Sequence, residues 1–196
     1  MKKLLALALI AFVIWNAYRV RGGEDYLLPE PGKIYYYTVT LTAKSGTILE
    51  TEASFSNDGL VDIDDKEFYK FVLNVDNIPA LNKKVFYSRI AKDGIYSRTS
   101  SKVRIPEFMD LPLPPVVGHK WTYEVEGQPY DAEILASESV ATPDRSYRGC
   151  VKVVARGGPG GQFRESTTYY APRVGMVKQT VEFLDGTMEF VLKKNN

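Results

Sequence analysis

The chain has 196 residues, 44% of them hydrophobic and 25% charged, and carries a net charge of +1. That is the make-up of one ordinary globular domain, and it provides no basic field that would gather nucleic acid. One cysteine and one histidine exclude an intramolecular disulfide and a four-ligand structural zinc site.

The chain opens on Met1-Lys2-Lys3, followed by an apolar run from Leu4 to Tyr18. At about 15 residues the run fits the hydrophobic region of a secretory signal better than a full membrane span. Cleavage after Ala17 would put Trp15 where a small residue is wanted, and Val20-Arg21-Gly22 is the alternative. Residues 1–21 are therefore read as a signal peptide or an uncleaved signal anchor, and residues 22–31, with Gly22, Gly23, Pro29 and Pro31, as a linker. Without Lys2, Lys3, Arg19 and Arg21 the balance is 21 basic against 24 acidic residues, a net charge of −3. The reading is an exported protein, periplasmic or on the cell surface, with inner-membrane anchoring by residues 4–18 as the variant. No cysteine stands directly after the apolar run, so a lipoprotein-type lipid attachment is not expected.

Residues 32–196 read as a single antiparallel β domain. Tyr35, Tyr37, Val39 and Leu41 alternate with Tyr36, Thr38 and Thr40, and Lys44-Ser45-Gly46 turns the chain into a return strand from Thr47 to Ser56. Asn57-Asp58-Gly59 carries the Asp-Gly signature of a hairpin turn. Strands are predicted from Leu60, over Phe68–Val75 and Val85–Ile90, and at Ile95–Thr99. Pro106 and the stretch Leu111-Pro112-Leu113-Pro114-Pro115 cannot form helix or central strand, and predict a stiff crossover. Trp121 to Glu126, Tyr130 to Val140, Tyr147 to Ala155, Phe163 to Tyr170, Arg173 to Leu184 and Thr187 to Lys193 complete the run, with Gly157 to Gly161 as a hairpin tip. Roughly a dozen short strands without a long amphipathic helix predict an all-β fold, a strongly curved antiparallel sheet or a half-barrel or open barrel. The 13 Tyr and 9 Phe suit its pleated surfaces.

The most distinctive punctuation is Tyr169-Tyr170-Ala171-Pro172-Arg173-Val174-Gly175-Met176-Val177-Lys178. Pro172 ends one strand, and Gly175 is free to take the positive φ of a bulge or tight bend. The pair is read as a structural corner.

That stretch resembles the Tyr-Tyr-Ala-Pro-Gly-Val-Gly-Leu-Val-Lys signature of a group of bacterial envelope proteins and lipoproteins, with Arg173 in place of a glycine. Asp93-Gly94-Ile95-Tyr96, Gly118-His119-Lys120-Trp121-Thr122-Tyr123 and Gly149-Cys150-Val151-Lys152-Val153 match the group as well. The resemblance implies a curved sheet analogous to the half-barrel of LolA/LolB-type carriers. It implies no activity. The arginine suggests that the corner does not need glycine twice.

Chemistry is sparse. Cys150 lies in an apolar strand and reads as a small core residue. Asp58, Asp62, Asp64, Asp65 and Glu67 form an acidic turn without the spacing of a calcium loop. No cofactor and no metal are expected. These readings predict a non-enzymatic cell-envelope binding or scaffolding module facing the periplasm or cell exterior. One alternative is a carrier or sensor of a lipid or other amphiphile in the concave face, lined by Tyr35, Tyr37, Trp121, Tyr123, Tyr169 and Tyr170. The other is a hydrolase of envelope polymers. Expected partners are an envelope protein or an amphiphilic ligand, no nucleic acid, and a membrane only through the N-terminal segment.

Overall fold

The computed structural model describes Tyr26 and residues 31–79, 81–102, 105–125, 127–158 and 163–195. The signal or anchor segment, most of the linker and the glycine-rich tip at 159–162 lie outside the described residues. Among those described, no helix is long and apolar enough to cross a membrane.

Twelve strands follow one another: β1 (Ile34–Ala43), β2 (Ile48–Ile63), β3 (Lys66–Val75), β4 (Lys84–Ile90), β5 (Gly94–Arg98), β6 (Phe108–Pro112), β7 (Lys120–Val125), β8 (Gln128–Ala141), β9 (Ser146–Gly157), β10 (Phe163–Ala171), β11 (Gly175–Phe183) and β12 (Gly186–Asn195). They form a single antiparallel sheet in the order β6-β5-β4-β3-β2-β1-β12-β11-β10-β9-β8-β7. Two six-stranded meanders are thus joined where β1 pairs with β12, with Tyr37 opposite Leu192 and Val39 opposite Phe190. The fold is all-β, an antiparallel sheet curled into a nearly closed barrel.

The barrel stays open along one line. Strands β6 and β7 end the order and share no ladder among the described residues. Side chains bridge them instead. Trp121 Nε1 donates to the Met109 carbonyl at 2.9 Å, and the rings of Phe108 and Tyr123 stack at 5.4 Å. Short edge strands that face each other across such a seam are shielded from pairing with other chains. Pro112 sits at the end of β6, on an edge, where a residue without an N–H is tolerated. The proline-rich segment is therefore part edge strand and part connection to β7.

Two clusters fill the interior. The larger one gathers Tyr35, Tyr37 and Val39 of β1 with Val75 of β3, Cys150 of β9 and Val177 of β11. These strands are far apart in the sheet, so only its curling brings them together. Tyr37 is 1% exposed, and its hydroxyl donates to the Met176 carbonyl at 2.8 Å, tying β1 to β11. Burying each such large side chain contributes about 1.5–3 kcal/mol. The smaller cluster, Ile95, Leu111, Ile134, Val151 and Val153, spans the seam, with Tyr26, Trp121 and Tyr170 packed against it.

Local backbone departs from the sequence reading at two turns. Asn57-Asp58-Gly59 is not a hairpin turn: β2 continues through it with a register shift between Asn57 and Leu60, and Gly59 takes φ 99°. The reversal comes at Asp64-Asp65, both with positive φ, 54° and 58°. A two-residue hairpin needs positive φ at both central positions, whereas the single glycine serves a bulge. At the corner, Gly175 has φ 80° as expected, but Arg173 has φ 63°. The exposed arginine thus occupies a left-handed position that glycine would take without strain, and the corner does use two such positions.

Candidate functional site

The seam collects the groups of chemical interest. In β6, Leu111 pairs with Ile95 and Met109 with Tyr96, so Asp110 is the extra residue of a bulge and pairs with nothing. A bulge re-aims a side chain, and this one turns the carboxylate inward. Protein atoms surround it, and that burial pushes its pKa up to about 6, with a hydrogen bond from Ser97 pulling the other way. The Ser97 hydroxyl, a buried group on β5, contacts Oδ2 of Asp110, and it also meets the hydroxyl of Ser88 on β4 at 2.7 Å. Asp110 nevertheless keeps accessible surface. The carboxylate is thus surrounded by protein atoms without being sealed from solvent.

Tyrosines stand around it. Burial raises the pKa of Tyr170, and the nearby Asp110 carboxylate raises it further. Burial also raises that of Tyr123, helped by Asp110 and Tyr130. Both phenols are therefore neutral donors near the carboxylate. Like Asp110, both keep accessible surface.

From Tyr123 a band of rings runs around the wall. Phe108 stacks on Tyr123, Tyr123 stacks on Tyr130 at 5.2 Å, and Tyr130 meets Phe163 edge-on at 5.2 Å. The band crosses β6, β7, β8 and β10 and skips β9, where Gly157 lies opposite Tyr130. The skip needs that glycine. A Cβ on Gly157 would lie 2.7 Å from the Phe163 carbonyl oxygen and 2.8 Å from Cδ1 of its ring. All four rings are half-buried.

The five tyrosines and one tryptophan expected from sequence fall into three groups. Tyr35 and Tyr37 are sealed in the core, 2% and 1% exposed. Tyr169 packs against the larger cluster, with the Lys152 ammonium 5.6 Å from its ring. Trp121, Tyr123 and Tyr170 meet at the seam. Sequence reasoning did not find Asp110, Ser97, Phe108, Tyr130 and Phe163 as a group. One signal was present: Asp110 is a carboxylate set between Phe108-Met109 and Leu111-Pro112, an odd place for a solvated charge.

The remaining candidates are structural. Cys150 is fully buried, and burial raises its thiol pKa. His119 is exposed, with its ring edge-on to Trp121 at 6.0 Å. In the acidic turn Asp64 pairs with Arg98 at 2.9 Å and Asp58 with Lys70 at 3.2 Å.

No family model matches the chain, and no curated protein sequence matches it. Among solved structures, the chain is similar to one from Bacteroides fragilis assigned as an exported protein with a YmcC-like fold. The TM-score is 0.54 at 12% identity, covering 88% of this chain and 99% of that one. A chain from Parabacteroides distasonis assigned as a lipoprotein gives a TM-score of 0.49 at 14% identity, covering 85% and 96%. A LolA superfamily protein from Nitrosomonas europaea gives 0.38 at 8% identity, covering 92% of each chain. The first likeness speaks for the fold alone, and the two weaker ones add nothing to it.

Proposed function

We propose that this is a non-catalytic, exported protein of the bacterial cell envelope that binds an amphiphile inside the barrel, at the seam between β6 and β7. One observation carries the reading. Phe108, Tyr123, Tyr130, Phe163 and Tyr170 are half-buried and continuous with the enclosed but unsealed Asp110, whereas the core at Tyr35, Tyr37 and Val39 is packed shut. Ligand pockets are mostly apolar and aromatic walls with a few placed polar groups, and this wall has that make-up. The missing β6–β7 ladder gives a way in, since parting the seam breaks side-chain contacts and no backbone ladder. Export rests on the lysine-headed apolar N-terminus.

Native mass spectrometry of the full chain, with detergent stripped in the gas phase, tests this reading. One added mass in the range of a lipid or fatty amphiphile, weakened by Tyr123→Ala in a chain that still folds, is expected. A bare polypeptide, even after incubation with envelope lipid extract, would overturn it. A second reading, docking of an envelope protein, draws on Val116 and Val117, 56% and 54% exposed, in the connection beside the seam. It predicts a crosslinked protein partner in cells and no bound small mass.

A further inference from the structure

We propose that the seam site selects ammonium-bearing ligands, with the Asp110 carboxylate as counter-charge and the Tyr123 and Tyr170 rings beside the cation. The inference rests on the binding reading above and adds the charge of the head group.

The argument begins with how the chain treats its other carboxylates nearby. Glu107, three residues before Asp110, is held by Arg89 through two hydrogen bonds, the longer 2.6 Å, and by Lys66 at 2.8 Å. Asp64 has Arg98, and Asp58 has Lys70. Asp110, like Glu107, is half-buried. Yet among the described residues its partner is the Ser97 hydroxyl, and no lysine or arginine contributes to the shift of its proton equilibrium. Buried carboxylates are ordinarily paired with a cation or neutralised by a proton. At neutral pH this one, with a pKa near 6, is mostly ionised. Among the described residues, this carboxylate therefore carries its charge at the seam with no lysine or arginine beside it.

The surroundings favour an ammonium over other charges. Tyr123 and Tyr170 stay neutral, so their ring faces present the negative side of the aromatic quadrupole. A cation within about 6 Å of a ring centroid is attracted, by up to about 2 kcal/mol or more when desolvated. An anionic head would meet Asp110 with no compensating base. A neutral head would leave the carboxylate uncompensated. Beyond the head, the Phe108–Tyr123–Tyr130–Phe163 band offers an apolar path for a chain. The cation could be the head of a membrane lipid or a free amine, and tail length separates the two.

The test compares four probes on the full chain by isothermal titration calorimetry, below their micelle concentrations: dodecyltrimethylammonium, dodecanol, dodecanoate and tetramethylammonium. Dodecyltrimethylammonium is expected to bind at least tenfold more tightly than dodecanol or dodecanoate. Asp110→Asn should reduce that preference to threefold or less, chiefly by weakening dodecyltrimethylammonium. Because the variant removes an enclosed charge, it should fold at least as well as the parent, which circular dichroism checks. Equal binding of the three dodecyl probes, or a preference that survives Asp110→Asn, overturns the ammonium inference and leaves amphiphile binding standing. Binding of tetramethylammonium as tight as that of its dodecyl analogue keeps the ammonium site but removes the amphiphile reading. Failure of every probe to bind overturns both.

Discussion

Asp110 and Glu107 are three residues apart, and the fold moves their proton equilibria in opposite directions. Glu107 is held down to about 2 by the guanidinium of Arg89, against a burial penalty and with help from Lys66. Its contribution to stability is full above its ordinary value of 4.5 and is lost as pH falls through about 2. Asp110 runs the other way. Its folded value of about 6 lies above the ordinary 3.8, so the folded chain binds the proton more tightly. The stability this group gives is complete below about pH 4 and is lost as pH rises through about 6. The groups facing it, Ser97, Tyr123 and Tyr170, do not titrate in that window. Asp110→Asn should therefore be more stable than the parent at pH 7, by roughly 2 kcal/mol, and about equal to it at pH 4. Urea unfolding at the two pH values checks this, and an unchanged gap between them would show that Asp110 is solvated. Composition and spacing could flag Asp110 as a carboxylate in apolar company. They could not show its bulge, which exists only through the register of β6 on β5. Arg173 makes the same point at the corner: residue type gave no hint of its positive φ, although the resemblance, with glycine there, did.

At the level of elements, strand existence was legible because period-two alternation is a local property, as in Tyr35, Tyr37 and Val39 against Tyr36 and Thr38. Turn chemistry was less so. Asp58-Gly59 and Asp64-Asp65 are both acceptable turns locally, and only the pairing of β2 with β3 decides that the second reverses the chain. The aromatic band could not be read at all, because it joins β6, β7, β8 and β10 over a glycine on β9. That arrangement makes Gly157 a sensitive position. Gly157→Ala introduces a Cβ against the Phe163 carbonyl and ring, and overpacking of this kind costs about 1–3 kcal/mol. The expected result is a lower urea midpoint and a weaker near-ultraviolet aromatic signal, as Phe163 leaves Tyr130. A variant with the parent's midpoint and signal would mean that the rings are not held together by this contact.

On the scale of the molecule, twelve strands in two meanders close on themselves everywhere except at β6 and β7, so one line of the barrel is held by side chains alone. The tyrosines predicted to line the concave face divide accordingly. Those on β1, beside the well-paired β1–β12 junction, are core, and those near the seam remain partly open. Sequence periodicity assigns a residue to a face but not to the sealed or open part of that face, because this depends on curvature around the whole sheet. If an amphiphile enters at the seam, Trp121 is placed to report it. With Trp15 changed to phenylalanine, Trp121 becomes the single tryptophan of the chain, which has two. Titration with a fatty amine brominated along its chain should then quench its fluorescence, saturating at one equivalent, and an unbrominated amine should compete. Fluorescence unaffected by the brominated probe, with quenching seen only while Trp15 is present, would place the amphiphile on the N-terminal segment and contradict entry at the seam.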